Sequence, residues 1–376
     1  MTKRIVFLTG TRADFGKIKS LIKATQSSKN FEVHIFVTGM HLNSKYGKTI
    51  DEIYKSGFKN IYPFINHDHT DFMDRNLSKT IDGFSHFVAE IEPDLIVVHG
   101  DRVEALAGAI VGSLNNILVA HIEGGEKSGT IDDLIRHAVT KLSHIHLVAN
   151  EEARNRLMQL GELEETIFII GSPDIDIMLS DKLPKIDEVK IYYEIPFGDY
   201  GILMFHPVTT EVVHWERYTK EVVDAVLASR KNFIVIYPNN DLGSDIILKE
   251  YKRFNDCKNI KVFPSIRFEY FLVLLKNAQF IAGNSSVGIR EAPYYGIPVV
   301  DIGSRQRSRA KHESINHVEY NKGMILSAIT SIKKKSKGNL NMQNFGTGNS
   351  TDLFVNLLNT QKLWKVNKQK QFQDRF

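Results

Sequence analysis

Carboxylates recur at three places between residues 97 and 141. Asp101 and Glu123 come just after the apolar runs LIVV and ILVAHI, and Asp132, with Asp133 beside it, stands where the sequence SGT gives way to a helical pattern. Carboxylates held in unlike environments can act as base and acid at one reacting carbon. The sequence therefore predicts an acid–base site built from Asp101, Glu123 and Asp132.

The apolar runs that precede these acids are typical of buried parallel strands. Strand patterns alternate with helical patterns, which predicts a doubly wound parallel sheet, and residues just past the carboxyl ends of such strands open into a ligand crevice. The runs of the first half span residues 4–10, 31–39, 95–98, 115–120, 144–149 and 167–171. Two acids in equivalent positions should thus face one site.

The alternation breaks at residues 179–200, which contain Pro184 and Pro196, and then restarts. The later strand patterns span residues 201–206, 233–237, 260–263, 280–283 and 298–302. We therefore expect two Rossmann-like domains, at residues 1–178 and 200–350. Residues 351–376 should form a final helix and a polar, frayed tail.

Each half also offers a loop that suits phosphate. Residues 10–17 hold two glycines, Arg12 and Lys17 before a helical pattern, and residues 284–288 read NSSVG before another. Backbone N–H groups at such a turn can bind an anion, although a tight turn with two solvated cations fits the first loop equally well. The glycine spacing matches neither the dinucleotide fingerprint nor a Walker A loop. A cleft between two such domains is the usual place for a nucleotide-sugar site.

The composition limits the classes of partner that the chain is expected to bind. The 48 basic and 44 acidic residues give a formal net charge of +4, and the basic run at residues 333–337 has no interleaved aromatic residues, so nucleic-acid binding is not expected. Cys257 is the single cysteine, so the chain has no internal disulfide, which suits a reducing cytosol. We expect Cys257 to be a packing residue. No segment reads as a signal peptide or a membrane span, so we expect a cytoplasmic protein.

A metal site is not expected either. His67, Asp68, His69 and Asp71 cluster in a polar stretch, but no second group of ligands stands at helical or strand spacing. Histidines in such loops are commonly just solvated.

A set of motifs identifies a family that the chain resembles. They are GTRADFGK, VTGMH, HGDRVEAL, HIEGGEKSGTIDDLIRHAVTKLSHIH, GSPDID, FHPVTTE, YPNND, FPSIRFEYFLVLL, GNSSVGIREAP and GSRQ. In this order they resemble the hydrolysing UDP-N-acetylglucosamine 2-epimerases of bacterial sialic acid biosynthesis and the epimerase half of the bifunctional animal enzyme. The resemblance covers nearly the whole chain and weakens after about Ser336.

The resemblance implies a GT-B-type fold with the active site in the interdomain cleft. It implies conversion of UDP-GlcNAc and water to ManNAc and UDP, by anti elimination of UDP to 2-acetamidoglucal and syn addition of water, as the first step of N-acetylneuraminate synthesis for surface glycans. No NAD, no obligatory metal and no nucleic acid or membrane partner are implied. The assembly implied is a homodimer or a tetramer.

The resemblance also assigns residues. The catalytic set is Asp101, Glu123, Asp132 and His206, with His206 on the phosphate side of the leaving group; by spacing alone, His206 would be a satisfied histidine at a strand end. The UDP-binding set is Arg12, Lys17, Arg102, Asn239, Phe268, Ser285, Ser286, Glu291 and Arg305, with Tyr270 and Phe271 near the uracil. The sequence leaves open which carboxylate takes the C2 proton.

Four other functions stay open. A non-hydrolysing epimerase would release UDP-ManNAc. A hydrolysing enzyme of the legionaminic acid pathway would act on a 4-acetamido-6-deoxy UDP-sugar with the same carboxylates. A GT-B glycosyltransferase would share the architecture but leave Asp132 without a role, and a nucleotide-sugar binding protein would not need the carboxylates at all.

Overall fold

The computed structural model describes residues 2–67, 72–307, 312–332, 345–371 and 373–374. The chain forms two compact units. The first comprises Met1–Glu126, Asp132–Asp181 and Asn344–Phe376, and the second comprises Lys127–Ile131 and Lys182–Gln343. Apart from the short segment Lys127–Ile131, the chain enters the second unit after Asp181, inside the predicted connection, and its last segment is part of the first unit. Asp68, His69, Asp71 and the basic run at 333–337 lie outside the described residues.

The first unit is built on a seven-stranded parallel sheet in the order β3-β2-β1-β4-β5-β6-β7. Its strands are β1 (Lys3–Thr9), β2 (Phe31–Val37), β3 (Ile61–Pro63), β4 (Leu95–His99), β5 (Leu118–Ile122), β6 (Ile145–Val148) and β7 (Ile167–Ile169). The helices among them are α1 (Arg12–Ser27), α2 (Ile50–Lys55), α3 (Met73–Ile91), α4 (Val103–Leu114), α5 (Ile131–Leu142), α6 (Glu151–Gln159) and α7 (Pro173–Met178). Central strands such as β4 and β5 are buried at every position, which explains their uninterrupted apolar runs.

The second unit repeats this plan with six parallel strands in the order β10-β9-β8-β11-β12-β13. Its strands are β8 (Gly201–Met204), β9 (Phe233–Ile236), β10 (Ile260–Phe263), β11 (Phe280–Gly283), β12 (Val299–Ile302) and β13 (Ile315–Val318). Its helices are α8 (Ile186–Tyr192), α9 (Trp215–Ser229), α10 (Ser244–Tyr251), α11 (Phe268–Lys276), α12 (Glu291–Tyr294) and α13 (Lys322–Ser331). Both sheets run outward in both directions from an early central strand, so the predicted fold class of two doubly wound Rossmann-like domains is confirmed.

The chain ends in α14 (Ser350–Leu358) and α15 (Gln361–Trp364). Phe354, Leu358 and Leu363 are buried in the same apolar core as Ile5 and Phe7 of β1. The expectation of a frayed tail is wrong for residues 368–370, because the Lys368 carbonyl and the side chains of the two residues after it hydrogen-bond to the first unit. These bonds join segments more than two hundred residues apart in sequence, which a local pattern does not reveal.

Two local differences have clear causes. A short strand, β3, contains Pro63, which is tolerated because β3 lies at the edge of its sheet. The helix expected after residues 284–288 is only a 3₁₀ turn, Ser286–Gly288, followed by the one-turn α12. Within the described residues, no helix is both long and apolar enough to cross a membrane.

Candidate active site

The ends of β4 and β5 bring two of the predicted carboxylates together. The strands are paired in register up to His99 and Ile122, and the Gly100 N–H donates to the Ile122 carbonyl at 3.0 Å. Glu123 directly follows Ile122, whereas Asp101 comes two residues after His99. The two acids therefore lie at the same edge of the sheet, as the sequence predicted, but one residue out of equivalent positions.

Arg136 of α5 joins the two acids. Its guanidinium donates to the Glu123 backbone carbonyl at 2.5 Å and to the Asp101 carboxylate, and the residue is only 1% exposed. Arg136 was not among the site residues predicted from the sequence. The signal was present, however, because Asp132 lies in the first turn of α5, one turn before Arg136, and residues four apart share a helix face. The helix face that carries Asp132 thus also carries the arginine that contacts the other two acids.

Two hydrogen-bond donors converge on one oxygen of the Glu123 carboxylate. Oε1 accepts from Ser172 Oγ at 3.0 Å and from Lys17 Nζ at 3.2 Å, and His99 Nε2 lies 3.4 Å away. The backbone of Glu123 is left-handed, with φ of 65°, a strained conformation for a residue with a Cβ. Strain and convergent donors of this kind are typical of functional sites, and here they fix the direction of the carboxylate.

His121 supports the same edge from behind. Its Nε2 lies 2.8 Å from the Gly100 carbonyl oxygen and its Nδ1 lies 3.3 Å from Thr140 Oγ1. Burial lowers the pKa of His121 to about 3, so the ring is neutral at physiological pH. Because a carbonyl can only accept, Nε2 carries the proton and Nδ1 accepts from the Thr140 hydroxyl. His121 thereby holds the residue that precedes Asp101.

The glycines after Glu123 serve internal packing. Gly125 has φ of 74°, and a Cβ there would lie 2.3 Å from the Ala153 carbonyl oxygen. A Cβ on Gly124 would lie 3.1 Å from His121 Nδ1. Contact with neighbouring protein atoms therefore explains both glycines.

The first glycine-containing loop is largely occupied by its own chain. The Asp14 carboxylate accepts from the N–H groups of Gly10 at 3.0 Å and Thr11 at 3.1 Å, and Thr11 and Asp14 form a capping box on α1. Arg12 pairs with Glu52. Two N–H groups that could have bound an anion are therefore already bound within the chain.

In the second unit, His206 follows β8 and is fixed by two asparagines. Asn284, fully buried, accepts from the His206 N–H at 2.7 Å and donates to its carbonyl at 2.8 Å, while the Asn239 N–H donates to His206 Nδ1 at 3.0 Å. Since Nδ1 accepts, the proton of the neutral ring lies on Nε2. His206 is therefore built to present an N–H donor.

The loop after β12 is tied to the same asparagine. Arg305 and Gln306 both donate to the Asn284 carbonyl, at 3.2 Å and 2.9 Å. Next to them, the Ser304 hydroxyl donates to Glu211 at 2.5 Å, and Glu211 also accepts from Tyr320 at 3.1 Å. Asn284 thus links the ends of β8 and β11 with the loop that carries Arg305.

Comparison with known proteins identifies the family. The family model described as UDP-N-acetylglucosamine 2-epimerase matches residues 23–359. The chain belongs to the UDP-N-acetylglucosamine 2-epimerase family. A relative from Neisseria meningitidis serogroup B, named UDP-N-acetylglucosamine 2-epimerase, is 49% identical over 99% of both chains. A relative from Legionella pneumophila, named UDP-N,N'-diacetylbacillosamine 2-epimerase (hydrolyzing), is 34% identical over 96% of both chains.

A solved structure agrees with the fold. The structure of Methanocaldococcus jannaschii UDP-GlcNAc 2-epimerase in complex with UDP-GlcNAc and UDP superposes with a TM-score of 0.78, covering 94% of this chain and 99% of that chain at 24% identity. At that identity the likeness establishes the fold alone, which is GT-B-like with two Rossmann-like domains.

Within this epimerase the predicted residues fall into two sets. The first unit holds Arg12, Lys17, Asp101, Arg102, Glu123 and Asp132. The second unit holds His206, Asn239, Phe268, Ser285, Ser286, Glu291 and Arg305. Lys17, predicted to bind UDP, lies against Glu123 and is also 3.6 Å from Asp174. Arg102 lies 3.8 Å from the buried carboxylate of Glu104.

Other members of the second set have structural partners of their own. Ser285 caps the 3₁₀ turn, accepting from the Val287 N–H at 3.4 Å, and Glu291 and Phe268 are 2% and 7% exposed. Tyr270, predicted near the uracil, belongs to an aromatic cluster with Tyr192 and Tyr193, and Arg267 stacks on it at 5.6 Å. Within the described residues, no group of three or more His, Cys, Asp or Glu side chains could hold a metal ion.

Proposed function

We propose that this epimerase is the hydrolysing type, which converts UDP-GlcNAc and water to ManNAc and UDP, and that it supplies ManNAc for sialic acid synthesis in the cytoplasm. The relative at 49% identity is named for UDP-N-acetylglucosamine, which supports the proposed substrate. The relative at 34% identity is named as hydrolyzing, which supports the proposed type of reaction. The single observation that carries it is the pair of acids, Asp101 and Glu123, bridged by Arg136 at adjacent strand ends.

The first step in this proposal is an anti elimination. A carboxylate removes the proton from sugar C2, the C1–O bond breaks, and UDP leaves with the bonding electrons, so that 2-acetamidoglucal remains. The C2 proton is only weakly acidic, so the base must be placed accurately and the leaving group must be stabilised as it departs. Asp101, Glu123 and Asp132 provide the candidate bases.

Stabilisation of the departing UDP is assigned to the second unit. The neutral His206 ring, oriented by Asn239 and Asn284, presents an Nε2–H donor suited to a phosphate oxygen. Arg305, held on the Asn284 carbonyl, adds a positive charge suited to the diphosphate.

The second step is syn addition of water to the glucal. The water oxygen bonds to C1 while a proton is delivered to C2 on the same face, which gives ManNAc. One carboxylate accepts the water proton and a second, protonated acid supplies the proton to C2. Three acids in different surroundings, with Glu123 held by Lys17 and Asp101 held by Arg136, suit this division of labour.

A second candidate substrate has specific support. The Legionella pneumophila relative is named for UDP-N,N'-diacetylbacillosamine, a 4-acetamido-6-deoxy UDP-sugar, and the same carboxylates would serve it. The higher identity of the relative named for UDP-N-acetylglucosamine favours UDP-GlcNAc. The two substrates differ only at C4 and C6, so direct competition between them is the sharpest comparison.

Proton NMR in D₂O tests the proposal. The purified protein is incubated with UDP-GlcNAc or with UDP-N,N'-diacetylbacillosamine, without NAD and with a chelator. Free ManNAc with deuterium at C2, together with UDP, is the expected result. Release of UDP-ManNAc would instead indicate a non-hydrolysing epimerase. Turnover of UDP-N,N'-diacetylbacillosamine alone would identify that sugar as the substrate. A glycosyltransferase would leave both spectra unchanged until an acceptor is added.

A further inference from the structure

The C-terminal tail is bonded to the unit that carries the predicted acids. The Lys368 carbonyl lies 3.0 Å from His144 Nε2, and Gln369 donates to the Asn116 side chain at 3.0 Å. His144 in turn accepts from the Val119 N–H of β5 through Nδ1, at 3.1 Å. The tail therefore lies against the end of α5 and the start of β5.

Lys370 caps the C-terminal end of α5. Its ammonium donates to the carbonyls of Ser143 at 2.6 Å and Thr140 at 3.2 Å, and to the Glu162 carboxylate at 2.5 Å. The last carbonyls of a helix lack partners within the helix and carry partial negative charge. A cation at this point therefore satisfies those carbonyls and opposes the helix dipole.

The contact of Lys370 with Glu162 is an ion pair, so it depends on the charges of both side chains. Its side chain is 1% exposed and is also bonded to Lys141 at 2.8 Å and His146 at 2.9 Å. Burial by itself would raise the pKa of Glu162, but the hydrogen bond from His146 and the charge of Lys370 hold that pKa at about 2. A buried carboxylate of this kind is stable only while its partners remain, so Lys370 is part of a closed network.

Two routes lead from this end of α5 to the acids. Thr140, whose carbonyl accepts from Lys370, bonds through its hydroxyl to His121, which holds the Gly100 carbonyl next to Asp101. One turn earlier on the same helix, Arg136 binds Asp101 and the Glu123 backbone. A shift of α5 would therefore move both supports of Asp101 together.

We propose that Lys370 is a positioning residue for the epimerase reaction, fixing α5 so that Arg136 and His121 hold Asp101 and Glu123 in place. This inference rests on the proposed function, because it assigns the acids of that reaction. It makes the end of the tail part of the catalytic apparatus, and the sequence alone had given it no role.

The test compares Lys370→Met with Lys370→Arg and with Lys365→Met. Lys365 is an exposed lysine of the same tail, so its substitution controls for loss of a charge alone. Activity is measured at a temperature where circular dichroism shows each variant folded. We expect kcat to fall about 10- to 100-fold in Lys370→Met, the range for a small misplacement of reacting groups, with substantial recovery in Lys370→Arg. UDP affinity, measured by calorimetry, should stay unchanged because the predicted phosphate contacts of the second unit are intact.

Three results would overturn the inference: unchanged kcat in folded Lys370→Met, an equal loss in Lys365→Met, or a fall in UDP affinity as large as the fall in kcat. The first would mean that Lys370 contributes stability only. The wild-type assay separates this failure from failure of the proposed function. A wild-type protein that releases no ManNAc refutes the function, whereas an active wild type with an active Lys370→Met variant refutes only the positioning role.

Discussion

The Arg136 guanidinium donates a hydrogen bond to the Asp101 carboxylate, joining helix α5 to the loop after β4. Arg136 is almost fully buried, and a buried charge is stable only when it is paired and hydrogen-bonded. The contact therefore both stabilises the first unit and sets the direction of a predicted catalytic acid.

Arg136→Lys should separate these two roles. Lysine keeps the charge but lacks the planar fork that reaches the Asp101 carboxylate and the Glu123 carbonyl together. We expect kcat to fall about 10²-fold, with UDP affinity unchanged. Arg154→Lys, a change in an arginine whose side chain is 26% exposed and pairs with surface glutamates, is the matched control. Full activity of Arg136→Lys would show that the bidentate contact is not needed.

Asp101→Asn and Glu123→Gln test the acids themselves. Each change preserves shape but removes the capacity to accept a proton, so we expect kcat to fall about 10²- to 10⁴-fold. Calorimetry with UDP should show unchanged affinity in Asp101→Asn, because Asp101 pairs with Arg136, which is not one of the predicted UDP contacts. Equal loss of turnover and UDP affinity would mean that the carboxylates serve binding or folding instead. Asp256→Asn, at an exposed position outside the predicted site, provides the unaffected reference.

The sequence located Asp101 and Glu123 well because apolar runs determine where parallel strands end, and strand ends determine which residues share an edge. Partners that depend on tertiary contacts were not predictable in this way. Arg136 carries no local mark of its contact with Asp101, although its spacing from Asp132 was a clue. Lys370 lies in a polar segment that reads as disordered, and only its contact with Glu162, distant in sequence, shows otherwise.

The two loops predicted to suit phosphate differ in local structure from what the sequence pattern indicated. Glycine and small residues before a helical pattern suggested two backbone cradles, yet Asp14 occupies N–H groups of the first. The second is followed by only a 3₁₀ turn and the four-residue α12. Residue types indicate where a chain can turn tightly. Which side chain hydrogen-bonds to the N–H groups of that turn depends on the folded structure.

Asn284→Asp should weaken UDP binding. The Asn284 amide donates to the His206 carbonyl and its oxygen accepts from the His206 N–H, and an aspartate cannot make the first of these bonds. The fully buried site should lose about 1–3 kcal/mol of unfolding free energy, and the misplaced His206 should raise the Kd for UDP. Denaturant unfolding and calorimetry measure the two effects, with the exposed Asn255→Asp as control. Wild-type UDP affinity in Asn284→Asp would contradict the role given to His206.

Stability should fall as pH decreases below about 6.5 because burial lowers the pKa of four histidines, His41, His121, His144 and His146. Burial lowers the pKa of His41 to about 4 and that of His121 to about 3. Below pH 6.5 the unfolded chain binds protons that the folded chain does not, so each histidine removes about 1.4 kcal/mol of unfolding free energy per pH unit until its folded pKa is reached. Glu162 acts only at lower pH, since its stabilising charge is lost as pH falls from about 4.5 towards 2.

Urea unfolding at pH 7, 6 and 5 measures this dependence. We expect the unfolding free energy to decrease steadily over that range, and His121→Gln to have a shallower slope by about 1.4 kcal/mol per pH unit. His86→Gln is the control, because the His86 side chain is 84% exposed, and it should keep the wild-type slope. If stability does not change between pH 7 and pH 5, or if both variants have the same slope, His121 is not held neutral in the folded protein, and the hydrogen bond that its Nδ1 is assigned to accept from Thr140 is wrong.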